Sequence, residues 1–90
     1  MVRYFGRASG RVQGVGFRFF VQQNSQELGL TGWVRNMSDG TVTMEIQGEQ
    51  ESVDELARRL QKGNFFIKVE EFSMEVREVV PDETGFSVRH

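Results

Sequence analysis

The chain has no cysteine, and its one histidine, His90, is the last of 90 residues. The first absence excludes a disulfide scaffold and a thiolate nucleophile, and it argues against a zinc site. The second leaves no imidazole within the chain for general acid–base work. No apolar run approaches the roughly 18–20 residues of a membrane span, and the first residues lack the apolar core of a signal peptide. A cysteine-free composition fits a reducing compartment, so the expectation is a cytoplasmic protein with no membrane partner. Any catalysis must then come from bound charge and placed water.

What is present is the composition of a folded domain: 38% hydrophobic residues, eight phenylalanines and 27% charged residues. That length predicts one domain over residues 1–90. Charge is unevenly spread. Residues 1–35 carry five arginines (Arg3, Arg7, Arg11, Arg18 and Arg35) against one acid, Glu27, whereas residues 36–90 carry six basic and twelve acidic side chains. A nucleic-acid surface normally needs a broad basic patch, and no clustered basic-aromatic pattern marks the strands, so no nucleic-acid partner is expected. A small anion held near the N-terminal arginines suits the distribution better.

Periodicity divides the chain into short elements. Val2, Tyr4, Ala8 and Val12 fall on alternate positions with Gly6 and Gly10 in register, which predicts a strand over residues 2–10. The spacing then becomes helical from Phe17 to Glu27, with Phe17, Phe20, Val21 and Leu28 on one face and Gly29 placed to stop the helix. Thr31–Met37 and Thr41–Gln47 read as strands joined by Ser38-Asp39-Gly40. In the second, Val42, Met44 and Ile46 should be buried while Thr41, Thr43, Glu45 and Gln47 face water. Val53, Leu56, Ala57 and Leu60 mark a second helix, opened by a Ser52–Glu55 capping box and closed by Gly63. Ile67 and Val69 have one parity and Phe72, Met74 and Val76 the other, so a bulge is expected near Glu70–Glu71. A turn over 81–85 leads to a short strand from Phe86 to Val88. The order β-α-β-β-α-β plus a terminal strand predicts an α+β, ferredoxin-like sandwich: two helices on one face of a mostly antiparallel sheet.

The densest chemistry lies in Gly10-Arg11-Val12-Gln13-Gly14-Val15-Gly16-Phe17-Arg18. Glycines at such a junction let successive N–H groups converge on one anion, and the helix start adds its own unpaired donors. Arg18 lies in the first helical turn, where the dipole disfavours a cation unless an anion is bound nearby. Its planar fork suits phosphate. The alternative is a tight turn beside a solvated arginine. Asn36 is the second polar candidate, because it shares parity with Gly32 and Val34 on the core face. Its amide can orient a water but cannot deprotonate one, and it could equally bond its own hairpin.

At these residues the sequence strongly resembles the acylphosphatase family. Gly10 through Arg18 resembles the family's first signature, and Gly32-Trp33-Val34-Arg35-Asn36 through Asp39-Gly40-Thr41-Val42 its second. The resemblance extends over nearly the whole chain, including Gly48-Glu49 and Gly85-Phe86-Ser87-Val88. It implies a βαββαβ sandwich and a hydrolase that cleaves the carboxyl–phosphate bond of acyl phosphates, with no metal, no cofactor and no covalent phospho-enzyme. On the family's pattern Arg18 holds the phosphate and Asn36 positions the attacking water. The backbone of Val12, Gln13, Gly14, Val15, Gly16 and Phe17 forms the phosphate cradle with Arg18. The expected partners are a small acyl phosphate and its inorganic phosphate product, and the expected state is a monomer. Gly63-Asn64-Phe65-Phe66 departs from the family's usual Gly-Pro followed by small residues.

Other conspicuous residues take plainer readings. Trp33 is expected in the core or a pocket wall, and Phe5, Phe65, Phe66 and Phe72 in the core or as loop cover. Arg35 reads as a solvated or salt-bridged surface group. Glu45, Glu49, Glu51, Glu70, Glu71 and Glu75 have no metal-ligand spacing and should face water. His90 reads as a free terminal residue, not a general base.

Overall fold

Alternation along β3 (Val42–Gly48) sends Val42, Met44 and Ile46 to one face, where each is at most 1% exposed. The same face gathers Ala8 from β1 (Val2–Arg11) and Val34 from β2 (Thr31–Asn36). Against it pack Phe17 and Val21 of α1 (Phe17–Glu27), and Val53, Leu56 and Leu60 of α2 (Gln50–Lys62). Phe20 and Leu28 are partly buried beside them, as the helical spacing predicts. Full burial of each large apolar side chain contributes about 1.5–3 kcal/mol. β4 (Lys68–Arg77) and β5 (Phe86–Arg89) complete the sheet in this computed structural model, which describes residues 1–90. The strand order is β4-β1-β3-β2-β5, antiparallel except where β5 runs parallel to β2. This is the ferredoxin-like α+β sandwich that the element order predicts.

Local signals act where expected. Gly29 takes φ 72°, and its N–H bonds Gln26 while that of Leu30 bonds Ser25, closing α1 with a Schellman motif. Pairing between β1 and β4 jumps from Ser9–Glu71 to Gly10–Val69, so Glu70 is the extra residue of the predicted bulge. The bulge lets Ile67 and Phe72 pack on the same core despite their opposite parity.

Four expectations are corrected. First, α2 begins at Gln50 with Glu49 as N-cap, so Ser52 lies inside the helix and forms no capping box. The buried side chains of α2 outweigh that local preference and draw the preceding residues into its first turn. Second, the helix-free face of β3 is not wet, since Thr43 is 5% and Gln47 3% exposed. Arg3, also buried there, donates to Glu45, Gln47 and Glu83, and Gln47 exchanges hydrogen bonds with the backbone of Val80. The segment before β5 thereby folds across that face, and Glu45 is drawn out of solvent. Third, Phe65 and Phe66 cover nothing: they are 94% and 63% exposed and stack edge to face on the α2–β4 loop. Fourth, Arg35 is half-buried, makes no salt bridge and lies over Trp33.

Candidate active site

The register brings several chain segments to one end of the sheet. Arg11 at the end of β1 pairs with Lys68 at the start of β4, and Arg35 near the end of β2 pairs with Arg89 of β5. The β2–β3 hairpin turns at the same end, because Asn36 faces Val42, which faces Ala8. The junction between β1 and α1 crosses over this row.

That junction has an unusual backbone. Gly14 and Gly16 both take left-handed φ, 73° and 78°, whereas Val15 between them keeps a negative φ. Alternation of hand along successive residues turns their N–H groups toward one concave side. Gly16 is also the N-cap of α1. No side chain bonds to the first-turn donors, and the turn contains no acid. The first N–H groups of the helix therefore add partial positive charge without a protein carboxylate to neutralise it.

A cavity of about 330 Å³ opens here, lined by Val12, Gly14, Gly16, Phe17, Arg18, Phe19, Asn36 and Val88. Of the residues singled out in the sequence, Val12, Gly14, Gly16, Phe17, Arg18 and Asn36 thus line one cavity. Gln13 and Val15 do not line it. The Gln13 amide reaches across to the hairpin, donating to the carbonyls of Met37 at 2.7 Å and Thr41 at 2.9 Å. Val15 packs beside the core. Phe19 and Val88 are walls that the sequence reading missed. Phe19 had a usable signal, an apolar residue off the buried stripe of its helix, and is 63% exposed. Two larger depressions, near Arg7–Ser73 and along the α2–β4 loop, contain neither Arg18 nor Asn36.

Arg18 is steadied from β5. Its Nη1 donates to the Arg89 carbonyl at 3.1 Å and lies 3.2 Å from His90 Nδ1, while Nε and Nη2 have no protein partner. Because a guanidinium can only donate, His90 Nδ1 is the acceptor of that contact. His90 is therefore engaged with Arg18, which corrects its reading as a free residue.

Asn36 is not spent on its hairpin. Thr41 N–H and Oγ1 both donate to Asp39 Oδ1, and Met37 N–H bonds the Thr41 carbonyl, so other groups close that turn. The hydrogen bonds from Thr41, helped by the nearby Arg7, hold the Asp39 carboxyl below its usual range. Asn36 Oδ1 is buried and accepts no hydrogen bond from the protein. An unspent acceptor on a residue that lines a cavity with an arginine is chemically suited to holding the hydrogen of a water.

Comparison with known proteins gives the family and the fold. A match to the acylphosphatase family spans residues 4–88. The acylphosphatase of Clostridium beijerinckii is 40% identical, with the whole of both chains covered. That of Geobacillus thermodenitrificans is 47% identical over 81 residues, covering 90% of this chain and 86% of its own. The crystal structure of acylphosphatase from Bacillus subtilis superposes with a TM-score of 0.94 over all of both chains, at 33% identity. The chain belongs to the acylphosphatase family.

Proposed function

We propose that this chain hydrolyses acyl phosphates by clamping the phosphoryl group between the Gly14–Gly16 nest and Arg18 while Asn36 holds the attacking water. The observation that carries this reading is the shared cavity of Gly14, Gly16, Arg18 and Asn36, together with a buried Asn36 oxygen that has no protein partner. The reaction is R–CO–O–PO₃²⁻ plus water giving R–COO⁻ and H₂PO₄⁻. The bond from phosphorus to the acyl oxygen breaks, and one from the water oxygen to phosphorus forms.

In the transition state, charge spreads over the three non-bridging oxygens of the transferring group. On this reading those oxygens take the backbone donors of Val12, Gly14, Gly16 and Phe17, which line the cavity, with Arg18 Nε and Nη2, while Gln13 and Val15 complete the loop that shapes the cradle. These donors are fixed before substrate arrives, so little reorganisation is needed as charge moves. Asn36 Oδ1 accepts one hydrogen of the water and aims its lone pair at phosphorus, in line with the leaving carboxylate. A carboxylate leaves readily, so no protein acid is required, and the water's proton passes to a phosphate oxygen. Arginine and backbone N–H groups supply the charge stabilisation, so the reading requires neither metal nor cofactor. Residues 1–90 act as one catalytic domain. We place it as a cytoplasmic monomer without a membrane or nucleic-acid partner; no helix is long and apolar enough to cross a membrane.

Steady-state hydrolysis of acetyl phosphate and phosphate titration separate the two side chains. Arg18→Ala should cost at least about 10³-fold in kcat/KM and remove measurable phosphate affinity at this cavity. Asn36→Ala should lower kcat about 10²-fold or more while phosphate affinity stays within about threefold. Loss of phosphate binding by Asn36→Ala with kcat retained would refute the water-holding role. Equal turnover of a phosphate monoester, or loss of activity in excess chelator, would refute the reaction class.

A further inference from the structure

The helix-free face carries a second concentration of polar groups that the reaction does not use. Ser73, Arg7, Thr43, Arg35 and Arg89 form one row across all five strands, each the register partner of the next. Arg7 is engaged by Asp39 at 2.7 Å. Arg35 and Arg89 make no salt bridge. Their guanidinium carbons lie 5.7 Å and 4.7 Å from the centre of the same Trp33 ring. Two like charges gathered on one indole repel each other, and neither is closed by a salt bridge. Glu45 is paired with Arg3, and Glu83 with Arg3 and Thr31, although the Arg89 charge also acts on Glu83 without forming a salt bridge.

Two atoms of this row are also unpartnered. Arg35 Nε and Thr43 Oγ1 are buried and make no hydrogen bond, although Thr43 and Arg35 are neighbours across the β2–β3 pair. Thr43 is 5% exposed as a whole. A hydroxyl, a guanidinium Nε and two guanidinium ends on register-neighbouring residues are the kinds of donor a tetrahedral oxyanion takes.

We propose that Thr43, Arg35 and Arg89 form a second oxyanion site, on the face of the sheet opposite the catalytic cavity, which takes a phosphate group. The group is inorganic phosphate or the phosphoryl end of a small metabolite. Seated there, it accepts hydrogen bonds from Arg35 Nε, both guanidinium ends and the Thr43 hydroxyl, and offsets the charges stacked on Trp33. The site lies directly behind the catalytic residues. Arg35 precedes Asn36 in β2, and the Arg89 carbonyl accepts the Arg18 hydrogen bond. Occupancy is thus one peptide unit from each, and an anion here tunes turnover by shifting those two backbone segments.

Trp33 is the only tryptophan, so its emission reports on this face. The experiment titrates inorganic phosphate and, separately, glycerol phosphate against the full chain, with chloride keeping ionic strength constant. Emission and backbone amide shifts are followed together. The expected result is a saturable Trp33 response with shifts at Thr43 and Arg35, retained in Arg18→Gln. Arg35→Gln and Arg89→Gln should each weaken it tenfold or more, and Thr43→Val at least threefold. Circular dichroism checks that each variant is folded, and Thr43→Val, nearly isosteric, guards against misfolding of the arginine variants. Tighter binding of glycerol phosphate assigns the site to a phosphorylated metabolite, and equal or tighter binding of phosphate assigns it to the free ion. No saturable response beyond the chloride control, shifts confined to residues 12–18, or unchanged affinity in both arginine variants would overturn the proposal. Phosphate remaining at residues 12–18 in Arg18→Gln would count against the catalytic reading alone.

Discussion

Replacing Arg3 with methionine tests what holds the helix-free face together. Arg3 is 3% exposed and donates from Nε to Glu45 at 2.6 Å, from Nη1 to Gln47 at 3.0 Å and Glu83 at 2.8 Å, and from Nη2 to Glu83 at 3.2 Å. Methionine keeps much of the buried stem and removes every donor. Breaking a buried ion pair from one side costs about 3–5 kcal/mol, because the other charge stays behind. Here two carboxylates stay behind, but Glu45 and Glu83 are 24% and 18% exposed, so water recovers part of the loss. The expected cost is about 2–4 kcal/mol, a large share of the roughly 5–13 kcal/mol available to a chain of this length. In Tm that is a fall of about 10–25 °C.

The pH dependence gives the prediction a sign. Burial works to raise the Glu83 pKa, but hydrogen bonds from Arg3 and Thr31 and the Arg3 and Arg89 charges prevail, leaving it below the ordinary 4.5. A carboxyl whose folded value is depressed contributes stability that is present above its unfolded value and lost as pH falls through the folded one. The wild-type chain should therefore lose stability on acidification below about pH 4.5, and Arg3→Met should lose less over the same window. Asp39, also lowered, adds to the slope in both proteins and cancels in their difference. Urea unfolding from about pH 7 to about pH 3 provides the measurement. Arg3→Met with Glu83→Gln should recover part of the loss, since the stranded charge is gone. A Tm change under about 3 °C, or a double variant that loses the sum of the single losses, would refute the ion-pair account.

Two further perturbations address the cradle. Gln13→Ala cuts both bonds from the loop to the hairpin carbonyls, so kcat for acetyl phosphate should fall about tenfold while phosphate affinity stays within about twofold; the KM-against-kcat split in steady-state assays checks it. Gly16→Ala forces a side chain into φ 78° without a clash, since no atom lies within 4 Å of the added carbon. It should cost about 1–2 kcal/mol in urea unfolding and weaken phosphate at least tenfold in titration, as relief of the strain re-aims the nest.

Elements with a strong local period were legible in the sequence, and so was the junction that carries the glycines. The bulge at Glu70 could be read because Ile67 and Phe72 cannot share a face without it. The Arg3 network could not, because its partners lie 42 to 80 residues away and no local pattern marks an arginine for burial. A polar residue on a strand's second face reads as wet unless a later segment is known to cover it. Here the segment through Val80 and Glu83 does so. The exposed Phe65–Phe66 pair failed in the opposite direction. Apolar character predicted cover, but Asn64 Oδ1 caps the loop by accepting from the Phe66 and Ile67 N–H groups, and both rings are turned outward.

The pairing of Arg18 with Asn36 marks the boundary between local and tertiary information. Each residue had a local rationale, one at a helix start and one on a core-facing parity, but nothing between them in the sequence sets their separation. The sheet does. Ala8, Val42 and Asn36 form one ladder row, so Asn36 stands two strands, about 10 Å, across from the strand that feeds the glycine junction. α1 packs on β2 and β5 at the far side of that gap, and Gln13 ties the junction to the hairpin beyond Asn36. On the proposed mechanism, a phosphoryl group held at the junction receives its water from the asparagine side. In-line displacement needs that asymmetry, with water on one side and the acyl group leaving by the other. The same register that buries Val42 and Met44 therefore spaces Arg18 from Asn36, so on the proposed mechanism the β1–β3–β2 pairing determines the reaction as much as the fold.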